Sequence, residues 1–258
     1  MISEKKYNPK DVAIVIPLYK AEMTKLENIG FSQCNKIFQN YDRIIIAPNS
    51  LDVSNYKNLT SLEIRFENQY FSSLKTYNRL LLSEEFYSAF KQYKYILICQ
   101  LDTFVFSNQL LDWCNKDYDY IGAPWINDSF RIFMNIAGKY SIFECAKLFF
   151  RKGINKAVGN GGLSLRKVET FLQCLQENKE FAENWKANED YYWGLYAKTN
   201  GKLFKIPEYK EAAKFAIELK PNYCMNLNHQ ELPMGLHAWE KYHIEFWKPY
   251  INKAGYEI

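Results

Sequence analysis

Residues 11–19, DVAIVIPLY, form a continuous β-branched run instead of an alternating one. Such a run suits a strand buried on both faces of a parallel sheet. A helical pattern follows over 21–39. RIIIAP (43–48) is a second buried strand, stopped by a proline, and LEIRF (62–66) is a third. Residues 72–92 predict one helix, with Leu74, Tyr77, Leu81 and Phe86 near one face. KYILICQL (94–101) is the fourth strand. Strands alternating with helices at this spacing predict βαβ units and an α/β fold, with a mostly parallel sheet and helices on both faces.

The pattern then loosens. DYDYIGAPW (117–125) predicts a strand entering a turn, GNGGLSLR (159–166) a glycine turn running into a strand, and KVETFLQCLQ (167–176) a helix. NEDYYWGLYAK (188–198) starts another helix, and the chain ends in HAWEKYHIEFWKPYI (237–251). Without a repeat or clear linker, the 258 residues are expected to form a single domain. Its expected parts are a strand-and-helix half (11–125), an insertion (126–157), a second half (158–258) and a C-terminal helix.

Asp102 stands out because a carboxylate at the end of a buried strand is costly unless something satisfies it. In doubly wound sheets, ligands bind at the carboxyl ends of strands, where Asp102 is expected to lie. The GxGxxG and GxxxxGK[ST] signatures are absent, which removes the usual dinucleotide and P-loop readings. GNGGLS reads either as a tight turn needing positive φ or as a place where backbone approaches a bulky ligand. In Asn188-Glu189-Asp190, Asn188 reads as an N-cap with acids favouring the first turn, or Asp190 reads as a general base. His237 reads as a satisfied loop histidine or as a ligand.

Charge and composition narrow the classes. Net charge is +4, too small to imply nucleic acid. Residues 126–157 hold six Lys or Arg against two acids, so they carry that whole excess. Aromatic residues there (Phe130, Phe133, Phe143, Phe149, Phe150) interleave with the cations. The segment therefore reads as a solvated helical excursion or as a peripheral contact with an anionic membrane surface. The six cysteines show no CxxC pair, which predicts reduced thiols, a cytoplasmic setting and no zinc site. No stretch approaches the ~18 apolar residues of a membrane span.

The order of VAIVIPLYK, YILICQLDTFVF, DYIGAPW, GNGGLSLR, NEDYYWG and GLHAW resembles the GT-A fold glycosyltransferases. It is most similar to an uncharacterised family of bacterial GT-A-like proteins, over residues 11–250. The resemblance implies a nucleotide-sugar-dependent glycosyltransferase, expected to invert the anomeric carbon, acting on a glycan or lipid-linked acceptor in surface polysaccharide or glycoconjugate synthesis. It implies that 11–125 is the nucleotide-binding half, 126–157 a variable insertion and 158–258 the acceptor-side half; the thiols and the basic segment together predict a cytoplasmic protein, free or at the inner face of the membrane. By the same resemblance Asp102 matches the DxD motif, either at its second position with Gln100 at the first, which is preferred, or at its first with Phe104 in place of the second acid. His237 matches the late metal-holding histidine, Gly161 and Gly162 the turn facing the donor sugar, and Asp190, with Glu189, the base motif. Pro17, Tyr19 and Lys20 fall where the nucleotide base binds; Lys75 and Asn78 are expected to reach the diphosphate. Trp125 and Trp193 are candidate acceptor-stacking rings. The implied cofactor is Mn2+ or Mg2+, with Asp102, His237, phosphate oxygens and waters filling roughly six positions; the imidazole favours Mn2+. Two other classes compete: an inactive GT-A-like binder of glycan or nucleotide, and a sugar nucleotidyltransferase. The glycine-free PLYKAEM after the first strand argues against the latter.

Overall fold

The structure is a computed structural model that describes residues 6–56, 62–126, 156–197 and 204–258. The basic segment, apart from its ends, lies outside the described residues. Strands β1 (Val12–Pro17), β2 (Asp42–Pro48), β3 (Leu62–Phe66) and β4 (Tyr95–Cys99) form the parallel part of a six-stranded sheet. With β9 (Leu163–Lys167) and β6 (Tyr120–Ile121) the order is β3-β2-β1-β4-β9-β6. The last two strands run antiparallel to their neighbours, so the sheet is mixed at one edge.

The apolar runs divide by period two. Ala13, Val15, Ile44, Ile46, Ile96 and Ile98 join one buried cluster. Val12, Ile14, Ile16, Ile45, Leu97 and Cys99 join the cluster on the opposite face. Successive side chains of a strand point to opposite faces, so an unbroken apolar run is what two covered faces require.

Helix α1 (Lys25–Ile37) starts at a capping box: Thr24 accepts from the Glu27 backbone N–H, and Glu27 accepts from the Thr24 backbone N–H. The expected helix over 72–92 is two, α2 (Leu74–Leu80) and α3 (Glu84–Ser88). The hydroxyl of Ser83 donates to the Leu80 carbonyl and accepts from the Phe86 N–H. A local serine cap competes with helix continuation in this way, and the apolar period alone does not reveal it. The GAP turn likewise separates β6 from β7 (Pro124–Ile126), which pairs with β8 (Lys156–Val158).

Three short strands form a second sheet that positions the site. β5 (Thr103–Val105), β11 (Gly235–His237) and β10 (Ala216–Ile217) lie in the order β10-β11-β5. His237 stands opposite Thr103 across the antiparallel pair, and Ile217 opposite Leu236 across the parallel one. Phe104, Leu236, Trp239, Trp247 and Ile251 form the core beneath this sheet. The last two come from the C-terminal helix, Ile244–Lys253. Ala238 has φ of 48°, a left-handed conformation costing about 1–2 kcal/mol for a residue with Cβ. It turns the chain from β11 into the helix Trp239–Tyr242.

Candidate active site

A cleft of about 490 Å³ opens beyond the carboxyl ends of β1 and β4, lined by Pro17, Tyr19, Glu27, the stretch Phe71 to Leu74, Tyr77, Gln100, Leu101, Asp102 and Glu240. That size suits a small-molecule or cofactor site. One wall is carried by β1 and the other by the turn before α2. After β4 the chain turns sharply, the Thr103 N–H donating to the Gln100 carbonyl. This turn brings Asp102 to the rim.

Asp102 faces His237, with Oδ1 3.4 Å from Nε2. The Gln100 amide oxygen lies 3.3 Å from the same Nε2. Burial alone would push the Asp102 carboxyl up, but the imidazole beside it holds it below the usual carboxylate range. For His237 burial works downward, yet the facing carboxylates Asp102 and Glu218 pull it up to about 10.

The glycine turn closes against this pair. A Cβ on Gly162 would fall 1.9 Å from His237 Nε2, and one on Gly161 would fall 2.4 Å from Glu189 Oε1. No side chain fits at either place. Gly159 has φ of 144°, as the positive-φ reading of the turn requires; at Gly161 and Gly162 the close approach is to protein side chains, Glu189 and His237. Asn160 completes it: its Oδ1 accepts from the Gly162 N–H, and its Nδ2 donates to Glu218.

Behind the turn lies a buried ion pair. Arg166 is fully buried, and its Nη2 and Nη1 donate to the two Glu189 oxygens at 2.9 and 3.2 Å. The remaining Arg166 donors reach Tyr87 Oη, Ser164 Oγ and the Gly161 carbonyl. Burial opposes the Arg166 charge, but Glu189 outweighs it and keeps the guanidinium charged. Glu189 is therefore committed to Arg166, against the expectation that it shares the chemistry. Asp190, the next residue, is half-buried, and its Oδ1 accepts from the Tyr191 N–H. Burial first, then the charges of Glu189 and Glu218, push its carboxyl up to about 8. Asn188 makes no side-chain cap; its carbonyl accepts from Trp185 Nε1.

The other expected residues divide. Pro17, Tyr19, Gln100 and Asp102 line the cleft. Lys20 does not; its ammonium pairs with Glu27 at 2.7 Å. Lys75 is exposed and outside the lining. Asn78 is buried in structural work, donating to the Leu74 carbonyl and accepting from the Glu189 N–H. Trp125 and Trp193 are 1% and 0% exposed. Trp125 packs on Tyr191 and Trp193 on Phe171, so both rings are core, which corrects their reading as acceptor-stacking surfaces. Asp190 sits beside Gly161, outside the residues lining the cleft.

Sequence reasoning passed over Glu218, Arg166, Glu27 and Glu240. The signal for the first two was present: a charge inside or directly after an apolar strand, the same anomaly that singles out Asp102. Glu27 and Glu240 face the cleft with Asp102. Burial, then the Asp102 and Glu27 charges, raise the Glu240 carboxyl.

Among the described residues no group of three or more His, Cys, Asp or Glu is placed to hold a metal ion. The available donor set is Asp102 Oδ1, His237 Nε2 and the Gln100 amide oxygen. Separations of 3.3 and 3.4 Å are slightly longer than the ~3 Å between adjacent ligands of an octahedral ion with bonds near 2.1 Å. Without a cation the imidazole keeps both protons between Asp102 and Glu218, so a divalent cation held by Asp102, His237 and Gln100 would take the place of the Nε2 proton and need substrate oxygens and water to complete its shell. Among the described residues no helix is long and apolar enough to cross a membrane, and the described cysteines are buried and free.

Solved structures share the architecture. Mouse xyloside xylosyltransferase 1 in its apo form superposes with a TM-score of 0.56 at 10% identity, covering 89% of this chain and 98% of that one. The galactosyltransferase LgtC, in complex with donor and acceptor sugar analogues, superposes at 0.51 with 11% identity, covering 93% and 95%. At such identities the likeness shows the fold, which is that of the GT-A glycosyltransferases. No curated protein sequence matches the chain. The profile of one family, described as "Protein of unknown function (DUF5672)", matches residues 61–237. With more than two thirds of its length inside that match, the chain belongs to the DUF5672 family, built on a GT-A glycosyltransferase fold.

Proposed function

We propose that the protein transfers a sugar from a nucleotide-sugar donor to a hydroxyl group of a glycan or glycolipid acceptor. The observation that carries this is the convergence of Asp102, Gln100 and His237 on the glycine turn, at the rim of a cleft beyond the strand ends. Strand-end clefts are where ligands bind in open α/β sheets. Tyr19 and Phe71 offer aromatic faces to a nucleobase, while Asp102 and Gln100, backed by His237, would receive the diphosphate. Of the three carboxyls in the cleft, Glu27 is offset by Lys20 and Asp102 by His237, so a diphosphate there meets no free cation among the described lining residues, which supports a cation-bridged mode of binding. When bound, Mn2+ or Mg2+ held by Asp102 and His237 would stabilise charge on the leaving diphosphate.

Asp190 serves as the base in this reading. Its carboxylate takes the acceptor's hydroxyl proton while that oxygen bonds to the anomeric carbon. The bond to the diphosphate oxygen breaks, and its electron pair leaves with the nucleoside diphosphate. A single displacement of this kind inverts the anomeric carbon. Arg166 pairs with Glu189 and offsets only part of that acid's effect, so Glu189 still helps to raise the Asp190 carboxyl.

The test is thermal stabilisation by a panel of nucleotide sugars, each with and without Mn2+. The matching donor at 100 times its Kd adds about 2.7 kcal/mol, and it should then be turned over with an acceptor. Absence of stabilisation by every nucleotide sugar and nucleoside diphosphate refutes the reading. Mn2+-dependent binding without transfer or donor hydrolysis selects the second reading, an inactive GT-A-like binder, which the position of Asp190 outside the cleft favours. For the basic segment, flotation with anionic liposomes of the chain with and without 131–152 tests membrane contact.

A further inference from the structure

Glu218 has no role in the reading so far, yet it lies directly behind His237. It follows β10 directly. The parallel register of β10 and β11 sets Ile217 opposite Leu236, so the next pair in the ladder is Glu218 and His237. The antiparallel register of β11 and β5 sets His237 beside Thr103, next to Asp102. The small sheet thus sets Glu218, His237 and Thr103 in one row, with Asp102 at the next position along the chain.

The atoms agree with the register. His237 Nε2 points to Asp102 and Gln100, and Nδ1 points the other way, to Glu218 Oε1 at 3.5 Å. That Nδ1 is buried without a hydrogen-bond partner at ordinary distance. The second Glu218 oxygen accepts from Asn160 Nδ2 at 2.8 Å, and Asn160 Oδ1 in turn accepts from the Gly162 N–H. Glu218 and Asn160 are 4% and 5% exposed. A carboxylate on the far nitrogen of a ligating imidazole fixes which nitrogen carries the proton, leaving the other lone pair for the ion.

We propose that Glu218 is a positioning residue for His237: it holds the Nδ1–H, presents Nε2 beside Asp102, and through Asn160 ties the histidine to the glycine turn. The proposal rests on Asp102 and His237 being the cation-holding pair. It links that pair to the turn by side-chain contacts, in addition to the direct packing of Gly162 on the His237 ring.

Mn2+ binding to the full chain, read by the electron paramagnetic resonance signal of free Mn2+ with UDP or GDP present, is the test. Outer carboxylates of this kind change metal affinity about 10–100-fold. Glu218→Gln should therefore raise the Mn2+ Kd at least tenfold. Asn160→Ser leaves the acid but frees it, and should raise Kd severalfold; it also serves if Glu218→Gln does not fold. The decisive measurement is a cycle with His237→Ala. If Glu218 acts through the imidazole, Glu218→Gln has no further effect on Mn2+ affinity once His237 is gone. Equal Mn2+ affinity in wild type and the Glu218→Gln and Asn160→Ser variants overturns the proposal, as does an undiminished Glu218→Gln effect in the His237→Ala background. If wild type binds the nucleotide but no Mn2+, the cation reading of the site fails and the proposal with it. If Mn2+ binds and responds to Glu218→Gln while no sugar is transferred, the proposal stands and the transferase reading fails.

Discussion

Replacing Arg166 by Met removes a fully buried cation and leaves Glu189 behind at 3% exposure. The bidentate pair at 2.9 and 3.2 Å is lost, and Tyr87 Oη, Ser164 Oγ and the Gly161 carbonyl lose a donor each. Breaking a buried pair by removing one partner costs about 3–5 kcal/mol. For a chain of this size, roughly 2–4 °C of Tm per kcal/mol makes that about 6–20 °C. The sign with pH is also set. Without its cation, Glu189 keeps a proton in the folded state at pH values where the unfolded chain has released it. Stability of the variant relative to wild type then falls as pH rises. Urea unfolding at pH 5.5 and 8 reads both effects, and the larger deficit belongs at pH 8. The double variant Arg166→Met, Glu189→Gln should recover much of the loss, because no uncompensated charge stays buried. A deficit under about 1 kcal/mol, or one that is equal at both pH values, would refute the account of this pair.

Gly162→Ala puts a methyl group 1.9 Å from His237 Nε2, so the ring must move by more than 1 Å; displacements of that size cost about 10²-fold in rate, measurable as kcat/KM, with Mn2+ affinity falling alongside. Asp190 keeps its proton up to about pH 8, and a protonated carboxyl cannot act as base, so kcat/KM should rise with pH through about 8. In Asp190→Asn that limb should disappear, with turnover lowered about 10²–10⁴-fold and donor binding retained by calorimetry. Trp193→Ala empties a fully buried site against Phe171 and Phe204. It should cost about 3–5 kcal/mol of stability in urea unfolding, whereas an acceptor-stacking ring would show its loss in acceptor KM.

Local patterns carried the frame of the molecule. An unbroken apolar run such as VAIVIP has one economical fate, a strand covered on both faces, and it is read from neighbours in the chain. The four parallel strands therefore fell where the sequence placed them, and so did the strand-end position of Asp102. Where two local preferences compete, the pattern misleads: the apolar stripe of 72–92 predicts one helix, but Ser83 caps a second.

The site itself depended on tertiary structure because its contacts join distant segments. His237 meets Asp102 and the backbone of Gly162 only because β11 pairs with β5 and the glycine turn folds over both. Tryptophan is apolar enough for a core and flat enough for a sugar, so its type alone does not choose; burial assigned Trp125 and Trp193 to the core. For charged residues the deciding fact is the partner. Arg166, Glu189, Glu218 and Asp190 look alike as isolated charges in a sequence. Paired, shared or crowded by like charge in the fold, one is a locked cation, one its counter-ion, one a support for an imidazole and one a carboxyl that keeps its proton. Electrostatic energy falls with distance and rises with burial, and both are set by how remote parts of the chain come together.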